Sequence, residues 1–442
     1  MLTRISFGLL ALAAPALAQP PSDLPQPATP AEVHAPAALP AKLGPELLLR
    51  SGDRQVQLQF RGLVQADTRT FLGDAAGKLT DQEVIRRARP IFAAKLGNLI
   101  TAQLVVDFGQ GTTTLMDAWA NVRVADGLQV QVGKFHSPFG LERLRSGAAL
   151  GFAERAYPSV LVPNRDVGIK IHGEVLGKRL GYALAALDGA ANSSSADGDS
   201  GDGKDVVGRL YTTPFLHSDA AWLSGLLVGA AVSWGDQAGT ATAPGLTAWK
   251  TTGQNTFFSV RQASTGKDSA GQTTSLPGVM AKGVRQRATV HTYWHAGPAA
   301  LLAEWVRSSE QVQKGSDTGT LRADAWQMAV AYVVGGTAAW EGVQPAHPLT
   351  LGQPGWGALE LAARWSHLRV DTADLNRWVD FGTSAPVADG WSAGLHWHWS
   401  QHVRLFADLE RTTFVGGHRD AAGKIGNRAT ELAILTRAQV GW

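Results

Sequence analysis

From Gln55 onward the chain repeats one pattern: apolar and polar residues alternate with a period of two, stretch after stretch. Val56, Leu58, Phe60, Val64 and Ala66 fall on one parity. Gln55, Gln57, Gln59, Arg61, Gln65, Asp67 and Arg69 fall on the other. Successive side chains of a β-strand point to opposite faces, so such a stretch has one greasy and one wet side. The same split separates Ile100, Leu104, Val106 and Phe108 from Thr101, Gln103 and Asp107. It separates Val167, Ile169, Ile171 and Val175 from Asp166, Lys170, His172 and Glu174, and Leu432, Ile434, Val440 and Trp442 from Glu431, Arg437 and Gln439. A soluble sandwich alternates as well, so length, number and spacing have to separate the two.

Sixteen stretches carry the pattern, each of about 9–15 residues, the length a tilted membrane-crossing strand needs. They begin near Val56, Val84, Asn98, Leu115, Gly127, Asp166, Leu180, Lys204, Ser224, Arg285, Pro298, Arg322, Gly357, Asp389, His402 and Thr430. Tight connections (Gly97-Asn98, Asp126-Gly127, Gly177-Lys178-Arg179, Ala296-Gly297, Ser400-Gln401) alternate with long ones at 135–165, 189–203, 235–284, 309–321 and 371–388. Short turns at one end and long loops at the other mark a bacterial outer-membrane barrel, and an even strand count is required to close it. One connection breaks the rule: 335–356 falls at the short-turn end and is long. The apolar run Phe257-Phe258-Ser259-Val260 is assigned to the longest loop.

Composition agrees. Fifty glycines and fifteen tryptophans sit beside only 17% charged residues, and after the leader no apolar run reaches the length of a membrane helix. Lipid satisfies no backbone N–H or C=O, so a membrane chain without such helices has to close into a barrel. Aromatics near strand ends (Trp119, Tyr211, Trp234, Trp294, Trp305, Trp391, Trp397, Trp399) suit interfacial girdles. The terminal Trp442 suits recognition by a barrel-assembly machinery.

Residues 1–18 read as a secretory signal: Arg4, an apolar run from Ile5 to Leu12, and Ala16-Leu17-Ala18 before Gln19. Residues 19–47 are Pro- and Ala-rich, a linker or disordered periplasmic tail, and 48–442 form the barrel. The formal charge of +3 falls by one when Arg4 leaves with the leader. A nearly neutral chain lacks the basic surface of a nucleic-acid binder. With no cysteine, thiolate metal sites and cysteine nucleophiles are excluded.

The stretch Gly133-Lys134-Phe135-His136-Ser137-Pro138-Phe139-Gly140-Leu141-Glu142-Arg143-Leu144 resembles the hallmark of the phosphate-selective porin O and P family. Flanking pieces are similar as well: Gln57 to Gly62, Val64 to Asp67, Arg86-Arg87-Ala88-Arg89-Pro90, Asp107-Phe108-Gly109, Arg165 to Gly168, Gly297 to Trp305, Trp356 to Trp365 and Glu410-Arg411-Thr412. The resemblance implies an all-β, 16-stranded antiparallel transmembrane β-barrel whose third external loop folds inward. It also implies a homotrimer in the Gram-negative outer membrane that passes small anionic solutes, phosphate or polyphosphate among them. Segment 135–165 follows the fifth strand and is therefore that third external loop, with Pro138, Phe139 and Leu141 as anchors.

An anion path needs cationic donors that replace hydration without trapping the ion. Arginine suits phosphate through its paired charge-assisted hydrogen bonds. Parity and the loop together nominate Arg61, Arg87, Arg89, Lys134, His136, Arg143, Arg145 and Lys170 as pore-lining, anion-contacting residues. His136 stands where the family motif usually has a second lysine, and histidine is largely neutral at pH 7.

The alternatives are a barrel hydrolase and a surface receptor using loop 235–284. Ser146 lies near Glu142 and Arg145, and His172, His291, His396 and His398 share lumen parity, but no G-x-S-x-G or H-E-x-x-H motif occurs. The expectation is a channel and no enzyme, with no cofactor and no metal: His396 and His398 alternate with Trp397 and Trp399 as in a girdle strand. The Ser193–Gly203 run has calcium-loop composition without the closing Glu.

Overall fold

A computed structural model describes residues 47–53, 55–73, 79–198, 203–267, 271–350 and 352–442. The signal and most of the proline-rich segment lie outside the described residues, as do 199–202 of the Ser193–Gly203 run. Among the described residues no helix is long and apolar enough to cross a bilayer.

Sixteen antiparallel strands form one closed sheet: β1 Val56–Phe71, β2 Gln82–Leu96, β3 Ile100–Asp107, β4 Thr114–Ala125, β5 Leu128–His136, β6 Arg165–Val175, β7 Leu180–Leu187 and β8 Asp205–Thr212 begin it. The second half is β9 Leu227–Ala238, β10 Met280–Ala296, β11 Ala299–Lys314, β12 Asp317–Val334, β13 Ala358–Val370, β14 Val387–His398, β15 Val403–Val415 and β16 Glu431–Gly441. Each strand pairs with its sequence neighbour, and β1 pairs with β16 from Leu63↔Gly441 to Phe71↔Ala433 to close the seam. The seam is finished by Trp442, whose amide donates to Gly62 O (3.1 Å) and whose indole lies over Gly62. A Cβ on Gly62 would sit 2.1 Å from that ring, so the close approach needs glycine. The short strand Leu47–Arg50 adds to the short-turn end of β1.

The two parities face as the alternation implies. Leu58, Ile169, Leu184, Val232, Val290, Leu395 and Leu409 are exposed on the outside. Gln65, Asp67, Arg69, Glu304, Gln327, Arg364, Asp408 and Arg437 are buried inside. A barrel whose apolar side chains face out and whose polar ones face in has the inverted layout of a membrane barrel.

Observed strand starts fall within five residues of those expected, and one difference has a clear cause. The expected loop 309–321 is instead a long hairpin: β11 and β12 stay paired up to Lys314↔Asp317 around Gly315. Its polar composition reads as loop, but a ladder rising beyond the bilayer can carry polar side chains on both faces. The long connection 335–357 is present at the short-turn end and turns back on itself through Gly336↔Pro345.

Three connections meet inward-facing side chains. In 137–164, which carries the single helical turn α1 (Leu141–Leu144), the amides of Leu141 and Ala153 donate to Glu304 Oε1 (2.6 Å) and Asp408 Oδ2 (2.7 Å). Tyr157 Oη and Thr412 Oγ1 are 2.9 Å apart, and Gln439 donates to Ala148 O at 3.1 Å. From 239–279, Trp249, Phe257, Phe258 and Val260 join Phe139, Tyr157, Leu161, Leu375, Trp378 and Phe414 in one buried apolar cluster at the long-loop end. From 335–357, Trp340 packs on Tyr293 with ring centres 5.2 Å apart.

Leu409 lies midway along β15 on the outer face. Leu409→Arg is expected to destabilise the barrel by about 2–4 kcal/mol, the cost of a cation at the bilayer midplane. Guanidinium unfolding in lipid vesicles measures it, and an unchanged midpoint would contradict the outward orientation.

Candidate functional site: the lumen

A cavity of about 740 Å³ lies between the β1–β4 wall and connections 137–164 and 239–279. Below it a second cavity of about 420 Å³ runs toward the short-turn end along β4–β8. Gln103, Asp117, His136 and Leu144 line both, so the two adjoin at these residues.

The eight expected residues divide. Arg61, Arg87, Arg89, His136 and Arg143 line the upper cavity, and Lys170 lines the lower one. Lys170 also holds its ammonium 4.8 Å from the Phe135 ring centre. Arg145 lines neither: it donates to Trp340 O (3.0 Å) and stacks over Tyr293, bracing two connections against each other. Lys134 also lies away from both. It shares the parity of Val130 and Val132, and its ammonium is taken by Leu115 O (2.7 Å) and Asp197.

Sequence reasoning missed Arg86 and Lys250, which line the upper cavity together with Arg155 and Arg165, two basic residues of the loop 135–165 whose charge suits a lumen-lining segment. Strict alternation sends Arg86 outward, because its neighbour Arg87 faces in. A β-bulge overturns this: Gln65 pairs with Arg87 and Ala66 with Ile85, leaving Arg86 unpaired between them. Both arginines therefore reach the inside. The dense run Arg86-Arg87-Ala88-Arg89 was the available signal, since two adjacent arginines on a membrane strand are otherwise costly on one face.

Partners sort these cations. Arg86 holds Glu154 (2.5 and 3.1 Å), Arg89 holds Asp107 (2.7 Å) and Arg165 holds Asp117 (3.0 and 3.3 Å). Arg61 donates to Gln103 (3.2 Å), Arg87 to Gln65 (2.5 Å), Arg143 to Ser159 O (2.5 Å), and Arg155 to Glu142 O and Arg145 O. Among the described residues, no carboxylate stands within ion-pair distance of these last four. Other wall cations are paired: Arg437 grips Asp67 with two bonds of 2.7 Å, and Arg285 and Arg287 share Asp205 at 3.0 Å.

Glu154 is the acidic pin of connection 137–164. Burial would raise its pKa, but Arg86 foremost, then Arg437 and Arg87, hold the carboxyl far below the ordinary glutamate range. Of the residues considered for catalysis, Ser146 Oγ accepts the Ala148 amide (3.2 Å) and His172 contacts Asn121 (2.9 Å). The donors with metal-binding chemistry gather at Glu360, His396 and His398.

A closed sixteen-stranded barrel, greasy outside and polar within, defines the class of outer-membrane β-barrel channels. Within that class the chain belongs to the family phosphate-selective porin O and P, whose model matches residues 56–441. Comparison with curated proteins returns no match. Among solved structures, the fold is similar to the outer membrane channel DcaP of Acinetobacter baumannii (11% identity, 89% of this chain and 99% of that one, TM-score 0.53). It is equally similar to OmpT of Vibrio cholerae, an outer-membrane protein (11%, 89% and 100%, 0.53), and to OmpF of Salmonella typhi (11%, 89% and 100%, 0.52). The chain is therefore a porin-family barrel of the Gram-negative outer membrane.

Glu154→Gln leaves Arg86, Arg69 and Arg437 around an uncharged side chain. We expect a stability loss of about 1–3 kcal/mol and noisier single-channel current. A depressed carboxylate pKa stabilises the fold above the ordinary value, and that contribution is lost as pH falls toward the depressed one. Wild-type current should therefore become noisy on acidification below about pH 4, while Glu154→Gln should show no such transition in planar bilayers.

Proposed function

We propose that this porin is a passive, anion-preferring channel without turnover. Solutes pass through the upper and lower cavities along the β1–β8 side, and connection 137–164 is the inward third loop that sets the narrowest level, beside His136. The observation that carries the reading is the set of four arginines, Arg61, Arg87, Arg143 and Arg155, gathered on one cavity without a carboxylate partner. A guanidinium keeps its charge inside a protein, so mobile anions are their counter-ions. Each guanidinium retains donors beyond those spent on protein, which suits an oxyanion such as phosphate or polyphosphate. Of the residues nominated from sequence, Arg61, Arg87 and Arg143 contact the solute, Arg89 shapes the path through Asp107, and His136 and Lys170 line the lower passage. The family resemblance supports a homotrimer, and Trp442 at the seam supports delivery through the barrel-assembly machinery. The apolar packing of 239–279 in the mouth leaves its aromatic residues out of reach of a surface ligand, which favours the channel over the receptor reading.

Reversal potential in a KCl gradient tests this directly. The wild type should be anion-selective, and added phosphate should reduce chloride current. Arg87→Ala with Arg143→Ala should lower the anion-to-cation permeability ratio roughly two- to five-fold, the effect of removing about 0.4–1 kcal/mol of charge interaction with the permeant ion. Cation selectivity in the wild type would overturn the proposal.

A further inference from the structure

Glu360 on β13 pairs in register with His396 on β14, and His398 follows two residues later on the same face. Glu360 Oε2 lies 3.0 Å from His396 Nδ1 and 2.9 Å from His398 Nε2, and the donor atoms of the three lie within 4.8 Å of one another. All three are buried in the lumen wall. Behind them His396 Nε2 lies 2.7 Å from Asp408 Oδ1 on β15, and the other oxygen of Asp408 accepts the Ala153 amide at 2.7 Å.

Two imidazole nitrogens and one carboxylate oxygen converging on a point are the protein ligands of an open zinc-type site. A carboxylate behind a ligating histidine fixes its tautomer: with Nε2–H donated to Asp408, a metal that displaces the proton between His396 Nδ1 and Glu360 would meet the Nδ1 lone pair. Glu360 and Asp408 together balance the charge of one divalent ion. Space is provided on both sides. A Cβ at Gly394 would stand 2.4 Å from His396 Nε2 and 2.8 Å from Asp408 Oδ1, so glycine permits that contact. Next to Glu360 and His398 lies a cavity of about 60 Å³ between Phe152, Ala362 and Arg404. That is room for a completing water, which needs about 10–15 Å³.

We propose that Glu360, His396 and His398 form a binding site for a divalent transition metal of the zinc class, with Asp408 as the positioning residue. This replaces the girdle-strand expectation for His396 and His398. The third ligand was invisible to sequence spacing because it comes from the neighbouring strand. The bound ion ties β13 to β14, and through Asp408 and the Ala153 amide it steadies connection 137–164. The site stands apart from the arginine cavity and does not depend on the anion reading.

The test uses the mature chain without a polyhistidine tag, folded in detergent and stripped with a chelator. Cobalt(II) titration should give one ion per chain with the intense visible absorption of a low-symmetry site, displaced by zinc. Glu360→Gln and His398→Gln should abolish it, Asp408→Asn should weaken it about 10- to 100-fold, and His172→Gln and His291→Gln should leave it intact. Heat-modifiable migration verifies that each variant is folded. Where a variant fails to fold, the wild type decides alone, because its copper(II) spin-resonance spectrum should show hyperfine coupling to two imidazole nitrogens. No stoichiometric binding, binding that survives Glu360→Gln and His398→Gln, or an all-oxygen copper spectrum would each overturn the site.

Discussion

Sixteen strands remain in a hydrocarbon environment because their backbone donors and acceptors are paired across the ladders, and the pairing of β1 with β16 supplies the last set. Once that sheet is closed, two-residue periodicity forces a division: one parity goes to lipid and the other to a space that cannot be filled with hydrocarbon side chains alone. The inner residues Gln65, Asp67, Glu304, Arg364, Asp408 and Arg437 follow from that division. So does their need for partners, since a polar group removed from water costs free energy unless it is hydrogen-bonded. Arg437 on Asp67 and Arg285 with Arg287 on Asp205 meet that requirement within the wall. The arginines around the upper cavity meet only part of it, and the difference between these two sets is the electrostatic character of the path.

The interior is divided by chain rather than left as an open bore. Segment 137–164 is held by carboxylates of distant strands (Glu304 on β11 and Asp408 on β15), so its position is set by the wall opposite its own origin. Segment 239–279 contributes apolar side chains to the mouth, where Trp249 stacks on Phe258 with ring centres 4.4 Å apart. Segment 335–357 enters from the other end and touches the first through Arg145 and Trp340. Polar bonds fix direction here and apolar contacts fill volume. Together they push the water-filled route to one side of the barrel.

Much of this was legible in the sequence, for reasons that can be located. The strands were readable because parity is rigid: Leu409 and Ile434 have nowhere to go but outward once Asp408 and Leu435 point in. Long connections and the aromatic loop run at Phe257-Phe258 were readable from composition, although the burial of that run was not. What escaped depended on pairing across strands. Hairpin Lys314–Asp317 looks like loop until its ladder is seen. Lys134 sits in the family-like motif, yet Asp197 and Leu115 draw it away from the water path. The meeting of Glu360 with His396 joins residues 36 positions apart, which no local spacing reports.

The extra residue at Arg86 has a bearing on how charge is spaced along the route. On a regular strand the wall offers the lumen one side chain for every two residues, roughly one each 6.6 Å of rise. Where Arg86 slips out of register, two cationic groups enter at nearly the same height. One of them, Arg86, is spent on Glu154 and pins connection 137–164, while Arg87 stays on the cavity without a carboxylate. A barrel can in this way gain an anchor for an inward connection by a one-residue insertion, without any change in strand number, diameter or tilt.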